Sequence, residues 1–289
     1  MSGKFFVKSF GGLAIALVLS VFITSCGGSG ATGYNVAITA PTMGFVTGKS
    51  TFKLTVTKKS DGSPATGLAS QIVLYPLMHM STRNHASPVP ADAVKESSTP
   101  GVYDCTVFFL MATMSATEYW DLQVTLAGET ATFNPNVTMA MGSDTTRATL
   151  KNNSDTIMNM GVAIPRPYHL WKDVATTGTF TIFLDVTQEG MLAFPPLTVG
   201  TVLKDANNQN VQMTINSLEL LASLNGTTWT AMTCNANARC SFNNNALVAG
   251  TAATVYVKMK INGNDYTTDG AAVSATNAYA TFTVTPGAM

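Results

Sequence analysis

The chain has 289 residues, of which 46% are hydrophobic and only 11% charged, and its formal net charge is +0. That length holds an export segment and two domains of ordinary size, each with enough apolar material for a core. With no run of Lys or Arg, nothing favours a nucleic-acid partner; the polar surface must be built from Thr, Ser, Asn and Gly.

In chain order, Lys4 and Lys8 precede an apolar run from Phe10 to Ile23, followed by Thr24-Ser25-Cys26. A basic start, an apolar stretch and small residues before a cut describe a secretory signal. Ile23-Thr24-Ser25-Cys26 resembles the lipobox of bacterial lipoproteins. The resemblance implies a signal peptide over 1–25 and a lipid on the Cys26 thiol. Residues 26–33 then form a Gly/Ser-rich flexible tether. Position 27 is Gly rather than Asp, which under the enteric sorting rule implies the outer membrane. The expected location is the cell envelope, with the N-terminal lipid as the membrane contact.

Residues 34–132 read as a first β-sandwich. Val36–Thr39 starts it. Thr51–Thr57 alternates apolar and polar with period two, the pattern of a half-buried strand. Gln71–Tyr75 is a third strand, expected to close at Pro76. Gly101–Phe109 follows, and then Tyr119–Leu126 with Trp120, Leu122, Val124 and Leu126 on one face. Short strands punctuated by turn residues favour a sandwich over α/β. Tyr103, two residues before Cys105, matches the spacing of the tyrosine corner in immunoglobulin-like domains. No partner cysteine stands in Thr51–Thr57, so Cys105 is expected to be a lone, inward-facing thiol.

The candidate site lies between these strands, in Tyr75-Pro76-Leu77-Met78-His79-Met80-Ser81-Thr82-Arg83-Asn84-His85. Two of the 3 His of the chain sit here beside two of its 15 Met. Thioethers select Cu(I), and imidazole suits copper generally. Met78, His79, Met80 and His85 are the expected ligands, with Met43 from the first loop as a further one. Met78 and Met80 share a strand face and His79 points the other way, so all can meet only if the chain leaves regular strand geometry after Pro76. Met139 and Met141 are expected at the same end of the sandwich; Met111 and Met114 at the opposite end. Met78-His79-Met80 with His85, Pro100-Gly101-Val102-Tyr103 and Trp120-Asp121-Leu122-Gln123-Val124 together resemble the YtkA-like/FixH-like domains. These are immunoglobulin-like modules associated with extracytoplasmic copper handling. The resemblance covers about 100 residues and implies copper, Cu(I) above all, and a copper-donating or copper-accepting envelope protein as partner.

Residues 133–147 read as a linker, and 148–289 as a second all-β sandwich. Thr179–Val186 is a strand. Val211–Ser223 and Thr228–Met232 are expected to form a hairpin about Asn225-Gly226; Val255–Ile261 is expected to turn at Asn262-Gly263. Cys234 and Cys240 fit neither a redox pair nor a zinc knuckle, and in an oxidising compartment pair as a disulfide. His169, beside Tyr168, Leu170 and Trp171, reads as a hydrogen-bonded histidine rather than a ligand. No hydrolase, metalloprotease, P-loop or dinucleotide motif is present, so the sequence does not read as an enzyme. The fold expected is all-β: two immunoglobulin-like sandwiches in tandem after a lipoprotein signal peptide. The function expected is a membrane-anchored extracytoplasmic protein that buffers or delivers Cu(I). The alternative is a structural or adhesive surface lipoprotein without metal.

Overall fold

The computed structural model describes residues 33–288. The signal segment and Cys26 with its tether up to residue 32 lie outside the described residues. No helix occurs among the described residues, and none is therefore long and apolar enough to cross a membrane. The protein is all-β, built from antiparallel sheets around two hydrophobic cores.

The first core is enclosed by strands β1 (Tyr34–Thr39), β2 (Phe45–Val46), β3 (Gly48–Lys58), β4 (Val73–His79), β5 (His85–Ala86), β6 (Val94–Glu96), β7 (Val102–Phe109), β8 (Tyr119–Leu126), β9 (Glu129–Phe133) and β10 (Val137–Thr138). Two sheets, in the orders β1-β3-β7-β6 and β5-β4-β8-β9, face each other. The alternation of β3 sends Phe52, Leu54 and Val56 inward. That of β8 does the same for Trp120, Leu122, Val124 and Leu126. Tyr103 is buried and ties the corner: its hydroxyl donates to the Ala65 carbonyl at 2.7 Å and accepts from the Leu68 N–H at 3.2 Å. Cys105 is a buried free thiol. The residues read as a linker are partly used here, because β10 pairs in parallel with β2 (Val137 opposite Phe45).

Pro76 does not end the third strand. β4 runs through it to His79 and pairs with β8 from Val73–Thr125 to His79–Tyr119. On its other side only Leu77 and Met78 pair, with the short β5, and there Pro76 acts as an acceptor, its carbonyl taking the Ser87 N–H at 3.0 Å. Having no N–H to donate, Pro76 gives up a bond only on the side of the short β5 and leaves the pairing with β8 continuous.

The second core is enclosed by β11 (Arg147–Leu150), β12 (Thr156–Asn159), β13 (Val162–Pro165), β14 (Tyr168–Thr176), β15 (Thr179–Val186), β16 (Val202–Lys204), β17 (Val211–Thr214), β18 (Leu218–Ser223), β19 (Thr230–Ala231), β20 (Thr233–Cys234), β21 (Arg239–Asn243), β22 (Ala253–Ile261), β23 (Asn264–Tyr266) and β24 (Ala280–Val284). The sheet β11-β14-β15-β21-β20 packs on the sheet β19-β18-β22-β23, in which β24 also pairs with β22. The disulfide Cys234–Cys240 joins β20 and β21, which are paired at those two residues. The turn at Asn262-Gly263 is a two-residue hairpin with positive φ at both positions, 51° and 80°. The other expected hairpin is smaller than its sequence suggests: β18 pairs with β19, whereas Val211–Thr214 leaves to pair with β16.

The two units share a junction. Phe108, carried by β7 of the first, lies in the second core against Phe183 and Trp171, with ring centroids 4.9 and 5.5 Å away. Arg147 sits over the Trp171 ring and donates to the Leu110 carbonyl. Asp173 of the second unit takes Lys49 Nζ at 2.6 Å and Arg239 Nε at 2.6 Å, and Arg239 also reaches Asp92 of the first. At Gly48, with φ of +84°, a Cβ would come within 2.8 Å of the Thr146 Cβ. Only glycine admits the lead-in to the second unit so closely.

Candidate metal centre

Because β4 keeps strand geometry past Pro76, the four ligands expected around residue 79 do not share a face. Met78 points inward, is fully buried, and belongs to the first core. Met80 is half-buried and packs on that core. His79 points outward, where its ring stacks on Tyr119 with centroids 4.9 Å apart, and Nε2 donates to Asp121 Oδ2 at 2.6 Å. Asp121 is held in turn by Asn134 Nδ2 at 2.5 Å from Oδ1.

His85 is opposite Met78 in the β4–β5 pairing, so it lies on the inward side, and it is buried. Its surroundings are those of the junction. Ala86 N–H donates to the Met191 carbonyl, Tyr75 hydroxyl to the Leu192 carbonyl, and Arg83 Nη1 to Asn159. Arg83 Nε donates to His85 Nε2 at 3.1 Å. Burial, and secondly the Arg83 charge, lower the His85 pKa, so the ring is a neutral acceptor already engaged by a cation.

Met43 stands 75% exposed at the mouth of an apolar groove of about 640 Å³, lined also by Ile38, Phe45, Phe133 and Pro135. The groove also touches Asn134, so it adjoins the His79–Asp121 pair. Met139 and Met141 leave β10 beside it, exposed at 68% and 81%.

The expected place of Met111 and Met114 is corrected by the register. The end of β4 pairs with the start of β8, so the loop entering β8 lies at the His79 end of the sandwich. Met114 N–H donates to the Glu118 carbonyl, and Glu118 accepts from Ser81. Thr113 N–H donates to the Val137 carbonyl, which fastens this loop to β10. Met114 is 67% exposed. One end of the first sandwich thus gathers His79 with the exposed thioethers of Met43, Met114, Met139 and Met141. The sequence singles out Met111 and Met114 but puts them at the wrong end; only the pairing of β4 with β8 brings Met114 to His79.

Among the described residues, no group of three or more His, Cys, Asp or Glu is placed to hold a metal. Any site here depends on sulfur. Compared with known proteins, the chain matches no family model and no curated relative.

Proposed function

We propose that the chain is a membrane-anchored, extracytoplasmic protein that buffers or delivers Cu(I) through the methionine-rich end of its first sandwich. The reading is carried by one observation: Met43, Met114, Met139 and Met141 stand in solvent on mutually bonded loops beside His79. Methionine ordinarily serves as filler in cores, and that explains Met78 but not side chains more than two-thirds exposed. Soft thioethers select Cu(I) and survive an oxidising compartment without forming disulfides. Asp121, bonded to Nε2 of His79, fixes the tautomer that leaves Nδ1 as the lone-pair nitrogen, the usual role of a carboxylate behind a metal-binding histidine. The ligand set is therefore His79 with the exposed methionines, Met80 at its border. Met78 is core and His85 is junction. The partner is an envelope protein that gives or takes copper, and the resemblance to YtkA-like/FixH-like domains points the same way. The N-terminal lipid on Cys26 holds the chain to the envelope, at the outer membrane.

The test is Cu(I) titration of the full chain in detergent against a competing chelator. Joint Met43, Met114, Met139 and Met141→Leu substitution should weaken binding by about tenfold or more, and Met78→Leu should leave it unchanged. Equal affinity in the quadruple variant and the parent protein would remove this end of the molecule from the mechanism.

A second reading, a structural or adhesive surface lipoprotein, is favoured by the junction, where Phe108 and the Asp173 ion pairs make one extended body of two sandwiches. Metal analysis of protein taken from its own envelope separates the two.

A further inference from the structure

The second sandwich carries an aromatic surface that neither copper binding nor the junction uses. Along β22, Val255, Val257 and Met259 are buried, while Tyr256 and Lys258 stand on the outer face. Trp229, before β19, and Tyr279, before β24, converge on the same spot. Trp229 and Tyr279 have ring centroids 5.9 Å apart, and Tyr256 and Tyr279 4.9 Å apart. Lys258 Nζ lies 4.1 Å from the centre of the Trp229 ring. All four side chains are half-buried. The loop that presents Trp229 is fixed by its own hydrogen bonds. Asn225 Oδ1 accepts from the N–H groups of Thr227 and Thr228, and Ser223 Oγ accepts from those of Asn225 and Gly226. Such a surface needs little ordering on binding. Lys258 has no carboxylate within ion-pair distance among the described residues.

We propose that this surface binds an acidic saccharide. Aromatic faces carry negative charge density that attracts the polarised C–H groups of a sugar ring lying on them. Tyr256 and Tyr279 pack edge to face and Trp229 lies tilted against Tyr279, so none stands clear of the others, which suits a ligand laid across them rather than a deep insertion. A membrane-inserting belt would need rings free to enter the headgroup layer. Among the described residues, Lys258 has only the weak cation–π contact with Trp229 as a partner for its charge. Its ammonium is thus free to move onto a carboxylate or phosphate of the ligand, where a charge-assisted hydrogen bond is stronger. This is a second binding site, on the unit that copper binding leaves without a role.

The chain offers its own reporter. Trp120 and Trp171 are buried, so Trp229 alone among the tryptophans is open to solvent. The experiment screens the full chain in detergent on an array of uronate-, sialate- and phosphate-bearing oligosaccharides with their neutral counterparts. Bound sugars are then followed by acrylamide quenching of tryptophan. An acidic oligosaccharide should bind and shield Trp229. Trp229→Ala and Tyr279→Ala should abolish binding with the circular dichroism unchanged, and Lys258→Met should weaken it by about tenfold. The proposal is overturned by an array with no acidic hit. It is equally overturned by binding that Lys258→Met leaves intact, or by Trp229 emission that responds to phosphatidylglycerol vesicles and to no glycan.

Discussion

His169 and Asp185 face each other across β14 and β15, yet they do not pair. The His169 ring nitrogens engage Thr149 and Thr187, both at 3.2 Å, as expected of a hydrogen-bonded rather than a ligating histidine. Asp185 accepts from the Trp171 indole and leaves Oδ1 without a partner. Burial pushes His169 down to about 3, helped by Arg147 and Lys151, and raises Asp185 well above the usual carboxylate range despite Trp171 and Arg147. Both are thus neutral when folded. Between about pH 4 and 6.5, as long as the buried Asp185 keeps its proton, unfolding binds a proton at His169 and releases one at Asp185, and the two effects on stability oppose each other. The single variants should uncover them. With Asp185→Asn, His169 remains, and stability should climb by about 1.4 kcal/mol per pH unit up to 6.5. With His169→Asn, Asp185 remains, and stability should fall as pH rises from about 4 towards the raised pKa of the carboxyl. Urea midpoints at pH 4.5 and 6.0 decide it; slopes of the same sign in both variants would refute the neutral pair. Cys105 makes a simpler case. Its thiol is pushed up to about 12, first by burial and then by Asp104, so iodoacetamide should modify it only once urea has unfolded the chain.

At the scale of elements, period-two patterning makes β3 and β8 legible in the sequence, and the Asn-Gly pair at 262–263 does the same for the β22–β23 turn. Pairing between distant strands is not legible there, and the candidate site depends on it. Nothing local to Met114 says that its loop lies beside His79, and nothing in Tyr75-Pro76-Leu77 says that the strand continues. The ligand set differs from the expected one for that reason: regular alternation through Pro76 assigns Met78 to packing and His79 to solvent. Met78→Ala should therefore cost about 2–5 kcal/mol of stability as a core truncation. Met43→Ala or Met141→Ala should stay within about 0.5 kcal/mol, as surface changes do. Chemical denaturation measures all three, and a costly Met141→Ala would mean that this loop is packed. Joint Cys234→Ser/Cys240→Ser substitution should cost roughly 2 kcal/mol, the loop-closure value for so short a span.

For the whole molecule, composition and strand spacing announce an all-β chain but give no hint of how tightly its two cores are joined. Phe108 reads in sequence as one more apolar residue of a first-unit strand, and its destination is the core of the second. Loss of that ring should therefore be felt across the junction. Phe108→Ala should cost about 3–5 kcal/mol and split a single calorimetric transition into two. One unchanged peak would mean that the units melt together through other contacts, or that Phe108 matters little to the second. The same residue warns against dissecting the chain at the polar stretch near residue 143. A cut there strands an oily ring on one fragment and opens a hollow in the other, inviting clumping that would be mistaken for native self-association.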